Sequence, residues 1–241
     1  MSGYGSPAKY ESKVIRSRIE SKPGTTGSGA SRTPIEALDG MITPNGLHYE
    51  RHHSGVPDID PDTHRLLIHG LVKRPLIFTV EALLRYPMVS RIYFLECSGN
   101  SNIMHGPTPP ALTCGQVHGM VSCSEWTGVP LRPLLEETGA DLTAPWLLAE
   151  GADAAAMSRS VPMAKALDDA FLAFYQNGER LRPENGYPVR LFLPGYEGNM
   201  NVKWLRRLKV TPTPIMTKDE TSRYTDLQAD GKSLMFTYPM E

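Results

Sequence analysis

The chain has 241 residues, of which 40% are hydrophobic, and its 25 basic residues almost balance 26 acidic ones. This composition predicts one large folded core and excludes the basic surface that is typical of nucleic-acid-binding proteins. No apolar segment is long enough to cross a bilayer, and the start of the chain lacks the apolar core of a signal peptide. Three cysteines without a CxxC pair predict neither a disulfide framework nor a zinc site.

The first part of the chain has the composition of a linker. Residues 1–34 are polar and contain the run SKPGTTGSGASRTP, so we predict a flexible N-terminal arm at 1–34 and an ordered domain over 35–241. A turn at Pro44–Gly46 then leads to Arg51, His52 and His53. These three side chains are compatible with a metal site, an anion site or a solvated strand end, and the pattern alone does not choose between them.

The predicted elements of the first half are mostly short strands. The sequence predicts strands at 65–71 and 76–78, a helix capped by Thr79 and ended by Pro87, and a mostly buried strand at 91–96. A long irregular loop follows at 101–113. The run WTGVPL at 126–131 predicts a turn that leads into a helix ending near Thr138.

The second half continues in the same way. The sequence predicts strands at 145–150, 171–175 and 187–193, a short helix at 164–168, and core positions within 202–210. Asn177-Gly178 is a hairpin signal. The strand predicted at 234–238 has no evident partner in the sequence.

Cys97 stands where a strand ends, in the segment RIYFLECSGN. Ser98, Gly99 and Asn100 are loop-forming residues. The strand would therefore fix the backbone of the cysteine, and the loop would leave its sulfur accessible to a ligand. A thiolate metal ligand needs such a position, although a free cysteine can equally be a small buried apolar residue. The residues alone leave both interpretations open.

A family resemblance is carried by four segments in fixed order, which read ITPNGLHYERHHSGVPDIDPDTHRLLIHG, RIYFLECSGNS, EGADAAAMSRSVPMAKALDDAF and NGERLRPENGYPVRLFLPGYEGNMNVKWLRRLKV. Together they resemble the molybdopterin domain of the sulfite oxidase family over roughly residues 40–241, and most of all its SoxC-type sulfane dehydrogenase subunits. The resemblance implies an α+β fold of mixed sheets with short helices, and a molybdenum–molybdopterin cofactor. It also implies that Cys97 is the protein ligand to the metal.

The resemblance assigns roles to further residues. Arg51 would hold an anionic substrate, and Arg190 and Lys203 suit the phosphate of the cofactor. The implied cofactor-binding residues are His48, Tyr49, Glu50, Arg51, His52, Asp153, Asn185, Arg190, Asn201, Val202 and Lys203.

Three departures from the family pattern are informative. Asn185 stands where the family has a histidine, and Ser101 and Asn102 stand where sulfite oxidases have paired arginines. The lower positive charge favours a bulkier or protein-bound sulfur substrate. The active-site tyrosine of the family falls on Phe174, so we predict Tyr175 as the catalytic phenol on the condition that the strand bulges there.

The resemblance therefore implies molybdenum-dependent oxidation of a reduced sulfur substrate, sulfane sulfur or sulfite, by oxo transfer. The sequence has no CxxCH haem motif, so a c-type cytochrome subunit is the implied electron acceptor, in the periplasm. The family's C-terminal immunoglobulin-like dimerisation domain is expected to be absent, and a homodimer is expected only where that domain is present. The alternatives are a sulfoxide-type reductase of the same fold, a non-catalytic cofactor-binding scaffold, or a fragment.

Overall fold

The computed structural model describes residues 5–19, 27–108, 110–236 and 239. Short strands make up most of its regular structure. The strands are β1 Ser17–Ile19, β2 Gly29–Arg32, β3 Arg51–His52, β4 Arg65–Gly70, β5 Leu76–Thr79, β6 Val89–Glu96, β7 Val121–Pro130, β8 Trp146–Gly151, β9 Ser158–Pro162, β10 Phe171–Gln176, β11 Glu179–Arg180, β12 Arg190–Phe192, β13 Leu205–Thr211, β14 Thr225–Leu227 and β15 Ser233–Met235.

The helices are short and connect the strands. They are α1 Val80–Leu83, α2 Cys114–His118, α3 Leu131–Glu137, α4 Met163–Asp168 and α5 Lys218–Ser222. The predicted cap of α1 is confirmed, because the Thr79 side chain accepts a hydrogen bond from the Ala82 amide at 3.0 Å. Among the described residues, no helix combines the length and the apolar character needed to cross a membrane.

Two five-stranded sheets form the body of the domain. One has the order β11-β10-β7-β6, with β12 also paired to β10, and the other has the order β5-β4-β13-β8-β9. In the second sheet β13 runs parallel to β4 and antiparallel to β8, so the sheet is mixed. Smaller sheets are formed by β1-β2-β3 and by the β14–β15 pair.

Strand β10 separates two hydrophobic cores. Its residues Leu172 and Phe174 belong to the larger core, and Phe171 and Ala173 belong to a smaller core that also contains Cys97. Because successive side chains of a strand point to opposite faces, a strand that is apolar throughout is buried on both sides. The smaller core therefore supports the segment that carries Cys97.

Two sequence predictions for the first sheet are wrong. Strand β6 is predicted to be mostly buried, yet Ile92 is 50% exposed and Phe94 is 46% exposed. These two side chains alternate with Tyr93 and Leu95, which pack in the smaller core, so they lie on the uncovered face of the sheet. The run at 126–130 was predicted as a turn but belongs to β7. At Gly128 the backbones approach closely, since an added Cβ would lie 2.0 Å from the Leu172 carbonyl oxygen. The glycine thus serves strand packing and not a turn.

The ends of the chain also differ from expectation. Strands β1 and β2 lie within the predicted flexible arm, where they pair with each other and β2 pairs with β3. Residues 20–26 of that arm are outside the described residues. The predicted last strand does have a partner, since β15 pairs with β14. Residues 237 and 238 of that prediction are likewise outside the described part.

Candidate active site

Cys97 directly follows β6 and is fixed by backbone hydrogen bonds. Its amide donates to the Met120 carbonyl at 2.9 Å, and the Gly99 amide donates to its sulfur at 3.4 Å. Burial raises the pKa of the Cys97 thiol, whereas the Gly99 amide and the charge of Arg51 act in the opposite direction. A thiolate at this position would therefore gain stability from a bound cation.

A narrow cavity of about 70 Å³ opens beside the Cys97 side chain. Its walls come from the ends of strands in three sheets, together with the loop between β8 and β9 and the segment after α5. The lining residues are His48, Tyr49, Glu50, Arg51, His53, Leu95, Cys97, Asp153, Met157, Glu184, Asn185, Arg190, Gly198, Asn199, Asn201, Val202, Lys203, Trp204 and Tyr224. The cavity is lined mostly by polar and charged side chains, which suits a polar ligand.

Two cations lie in the wall of the cavity, the buried Arg190 and the partly buried Lys203. The Arg190 guanidinium donates to the carbonyls of Asn185 and Asn201 at 3.0 and 2.8 Å. The Lys203 ammonium donates to the carbonyls of Arg51 and Glu184, at 3.1 and 2.9 Å. Burial lowers the pKa of Arg190 to about 10 and that of Lys203 well below its usual value.

Neither cation forms an ion pair with a carboxylate in the described part of the chain. The charges of Asp153 and Glu184 act on Lys203 only without direct contact, so part of the cost of burying these cations remains until an anion binds. Lys203 and Arg190 are therefore suited to a phosphate group, Lys203 as a point charge and Arg190 through its planar guanidinium.

Several polar atoms of the cavity wall lack a partner among the described residues. They are His48 Nε2, Arg190 Nε and Asn199 Oδ1, all buried. His48 donates through Nδ1 to the Tyr49 carbonyl at 2.9 Å, so its Nε2 is an acceptor. Burial lowers the pKa of His48 to about 3, which keeps the ring neutral. The free acceptors of His48 and Asn199 fit the N–H groups of a ligand, and the nearby cations fit a phosphate. Molybdopterin has both kinds of group.

The neutral state of His48 predicts a pH-dependent stability. In the unfolded chain this histidine is protonated near its ordinary pKa of 6.5, whereas in the folded protein its pKa is about 3. Between these values only the unfolded state binds the proton, so the stabilising contribution present above pH 6.5 is lost as the pH falls. Lowering the pH to about 4.5 should cost about 2 kcal/mol of unfolding free energy through this residue.

Urea unfolding of the cofactor-free protein at pH 6.5 and at about pH 4.5 measures this loss of unfolding free energy. In His48→Asn, where an amide can replace the Nδ1 donor, the loss should be smaller by about 2 kcal/mol. The exposed His105 provides the control, and His105→Asn should behave as wild type. An unchanged loss in His48→Asn would contradict the prediction.

The structure brings most of the predicted site residues together. Of the predicted set, the ones that line the cavity are Cys97, His48, Tyr49, Glu50, Arg51, Asp153, Asn185, Arg190, Asn201, Val202 and Lys203. Asn185 also donates to the Gln176 side chain at 3.0 Å, which fixes its amide. Their individual roles toward the cofactor remain predictions.

His52 does not line the cavity, in contrast to the prediction. Its ring lies behind Lys203, accepting from the ammonium through Nδ1 at 2.9 Å, and its Nε2 lies 2.8 Å from a carboxylate oxygen of Glu50. Arg51 and His53, its two neighbours in the chain, line the cavity and His52 does not. His52 thus supports Lys203 from behind. Within the described residues, no group of three or more His, Cys, Asp or Glu side chains is arranged to hold a metal ion.

Tyr175 also lies outside the cavity, although the bulge that its predicted role required is present. The pairing of β10 with β7 shifts between Ala173 and Tyr175. The shift leaves Phe174 and Tyr175 both against the larger core, away from Cys97, and the Tyr175 ring packs 4.8 Å from the Arg180 guanidinium. This position is at odds with the predicted catalytic role of Tyr175.

The cavity wall contains a phenol that the sequence did not indicate, that of Tyr224. Its hydroxyl lies 2.9 Å from His53 Nε2. Burial and the charge of Arg51 lower the pKa of His53 to about 4, so the imidazole is neutral. Tyr224 follows α5, which is anchored on β9 by a hydrogen bond from the Ser160 amide to Glu220. No motif surrounds this tyrosine, so no sequence signal would have found it.

Comparison with known proteins identifies the family of this site. The family model described as the oxidoreductase molybdopterin binding domain matches residues 53–218. The chain belongs to this family. Its similarity to the sulfite oxidase type, predicted above, is confirmed, and so is the mixed-sheet fold with short helices. The domain is one that binds molybdenum–molybdopterin.

Individual relatives come from two functional groups. The nitrate reductase [NADH] of Spinacia oleracea is 37% identical over 199 residues, and the nitrate reductase [NADPH] of Phytophthora infestans is 37% identical over 193 residues. These alignments cover 76% and 75% of this chain and 21% of each relative. The crystal structure of the sulfane dehydrogenase SoxCD from Paracoccus pantotrophus matches with a TM-score of 0.94 and 46% identity, over 99% of this chain and 61% of that one. The chain thus spans about a fifth of the length of these curated relatives.

Proposed function

We propose that this molybdopterin domain oxidises a reduced sulfur compound, either a sulfane sulfur or sulfite. The observation that carries the proposal is the 46% identity to a sulfane dehydrogenase over 99% of the chain. The nitrate reductases, in contrast, share 37% identity over about three quarters of the chain.

The chemistry assigns a task to each group of residues. The bound cofactor would supply oxygen-atom transfer coupled to a two-electron change at the metal. Cys97 would hold the metal, and Arg190 and Lys203 would bind the phosphate. Arg51, in the wall of the cavity, would hold the anionic substrate. Conversion of sulfite to sulfate takes one oxygen from water and releases two electrons and two protons.

The segment after Cys97 supports a substrate larger than free sulfite. Ser101 and Asn102 occupy the positions where sulfite oxidases have paired arginines, and the Ser101 hydroxyl lies 2.6 Å from His118 Nδ1. Residues 102–108 are exposed. An opening with fewer cations attracts a small dianion less strongly and can accept a sulfur group carried on a larger molecule.

The released electrons need an acceptor. All three cysteines lack the CxxCH arrangement that attaches a c-type haem. We therefore include in the proposal a separate c-type cytochrome as the acceptor, and the periplasm as the compartment, as the resemblance implies.

Nitrate reduction is the second candidate. It is favoured by the identity to nitrate reductases, and it would reverse the direction of electron flow. A reductase of sulfoxides belongs to the same class of reaction. A non-catalytic scaffold would bind the cofactor and turn over neither donors nor acceptors.

Assays of the molybdenum-loaded protein separate these functions. We expect turnover of sulfite, thiosulfate or a protein-bound persulfide with a cytochrome c or ferricyanide acceptor, and no turnover of nitrate or a sulfoxide with reduced viologen. Turnover of nitrate alone would replace the proposal with the second candidate. Stoichiometric molybdenum without turnover in either direction would indicate a scaffold.

A further inference from the structure

Among the described residues two tyrosines line the cavity, and they differ in burial. Tyr49 is 5% exposed and packs in the same small core as Cys97, stacked on His48. Tyr224 is half-buried and shares the wall of the cavity with Arg51 and His53. A molecule that enters the cavity can therefore contact Tyr224 without displacing core residues.

The Tyr224 side chain is held in place from several directions. Its hydroxyl lies 2.9 Å from His53 Nε2, and its ring packs 4.6 Å from the Arg159 guanidinium. Arg159 is fully buried between Glu197 and Glu220, at 3.6 and 3.5 Å. Such support preorganises the phenol, because its position does not depend on flexible surface contacts.

Building on the proposed function, we propose that Tyr224 hydrogen-bonds the anionic group of the sulfur substrate beside Cys97, and that His53 positions the phenol. In the tautomer with its proton on Nε2, His53 donates to the Tyr224 oxygen and leaves the phenol proton free for the substrate. Arg51 supplies the charge, and Tyr224 supplies a neutral, directed donor. The phenol that contacts the substrate would thus belong to Tyr224, after α5, and not to Tyr175 on strand β10, where the sequence predicted it.

The experiment compares Tyr224→Phe with Tyr175→Phe, which removes the hydroxyl that lies outside the cavity. For each molybdenum-loaded protein, the binding of sulfate is measured by titration calorimetry, and kcat and KM are measured with sulfite. Sulfate binding should weaken about 10- to 100-fold in Tyr224→Phe, the effect of losing one hydrogen bond to a charged group. The value of kcat/KM should fall by a similar factor, and Tyr175→Phe should match wild type.

Two variants of His53 test the positioning role. His53→Ala should weaken sulfate binding, and His53→Gln, whose amide can donate from a position near that of Nε2, should restore most of the affinity. Equal losses in both variants would contradict positioning by the Nε2 donor.

The possible outcomes separate this inference from the proposed function. Sulfate binding can be measured without turnover. A loss of sulfate affinity in Tyr224→Phe but not in Tyr175→Phe therefore supports the inference even if sulfite is not a substrate. Sulfite turnover that is unaffected by Tyr224→Phe would overturn the inference and leave the function intact. Absence of sulfate binding to the wild type, or loss of molybdenum from Tyr224→Phe, would also overturn it.

Discussion

Replacing Cys97 by serine should abolish turnover and strip most of the molybdenum from the protein. The thiolate is the protein's proposed bond to the metal, and a serine hydroxyl is a poorer ligand for it. Loss of an outer partner of a metal ligand already costs about 10- to 100-fold in affinity or activity. Loss of the ligand itself should therefore cost more than about 100-fold in kcat/KM. Metal analysis and the visible absorption spectrum would measure this, through a thiolate-to-metal band that disappears.

Two other cysteines provide matched controls for this experiment. Cys114 is exposed and Cys123 is partly exposed, and neither lines the cavity. Cys114→Ser and Cys123→Ser should keep wild-type molybdenum, absorption and activity. A Cys97→Ser protein that retained the full metal content and the thiolate band would disprove Cys97 as the ligand.

Replacing Lys203 by methionine should release the cofactor. The substitution keeps a similar side-chain length but removes the ammonium that lies in the cavity wall without an ion pair in the described chain. A hydrogen bond to a charged partner is worth about 1.5–3 kcal/mol, so cofactor affinity should fall about 10- to 100-fold. The measurement is molybdenum and pterin fluorescence per chain after gel filtration.

Lys209 is the control for this substitution. It lies on β13 outside the cavity, so Lys209→Met should retain its cofactor. Raising the ionic strength should lower the cofactor content of the wild-type protein far less than Lys203→Met does, because salt screens charges in this site only weakly. Normal cofactor content in Lys203→Met would contradict the role assigned to this lysine.

The sequence by itself determined those features that depend on neighbouring residues. Thr79 caps α1 as predicted, because its side chain needs only the amide three residues on. Asn177-Gly178 forms the predicted hairpin, since both residues adopt positive φ values of 49° and 79°. The placement of Cys97 at the end of a strand is equally local, because an apolar run followed by Ser-Gly-Asn encodes it. Long motifs in fixed order also identified the family.

Only the tertiary structure decided which faces of these elements meet the site. Ile92 and Phe94 are exposed because the smaller core covers only the face of β6 that carries Tyr93 and Leu95, and that face is fixed by pairing with distant β7. Tyr175 faces away because the register shift of β10 against β7 turns it toward the larger core. Tyr224 reaches the cavity because α5 is anchored on β9 through Glu220. Pairing, register and anchoring join residues far apart in the chain, so local propensity does not encode them.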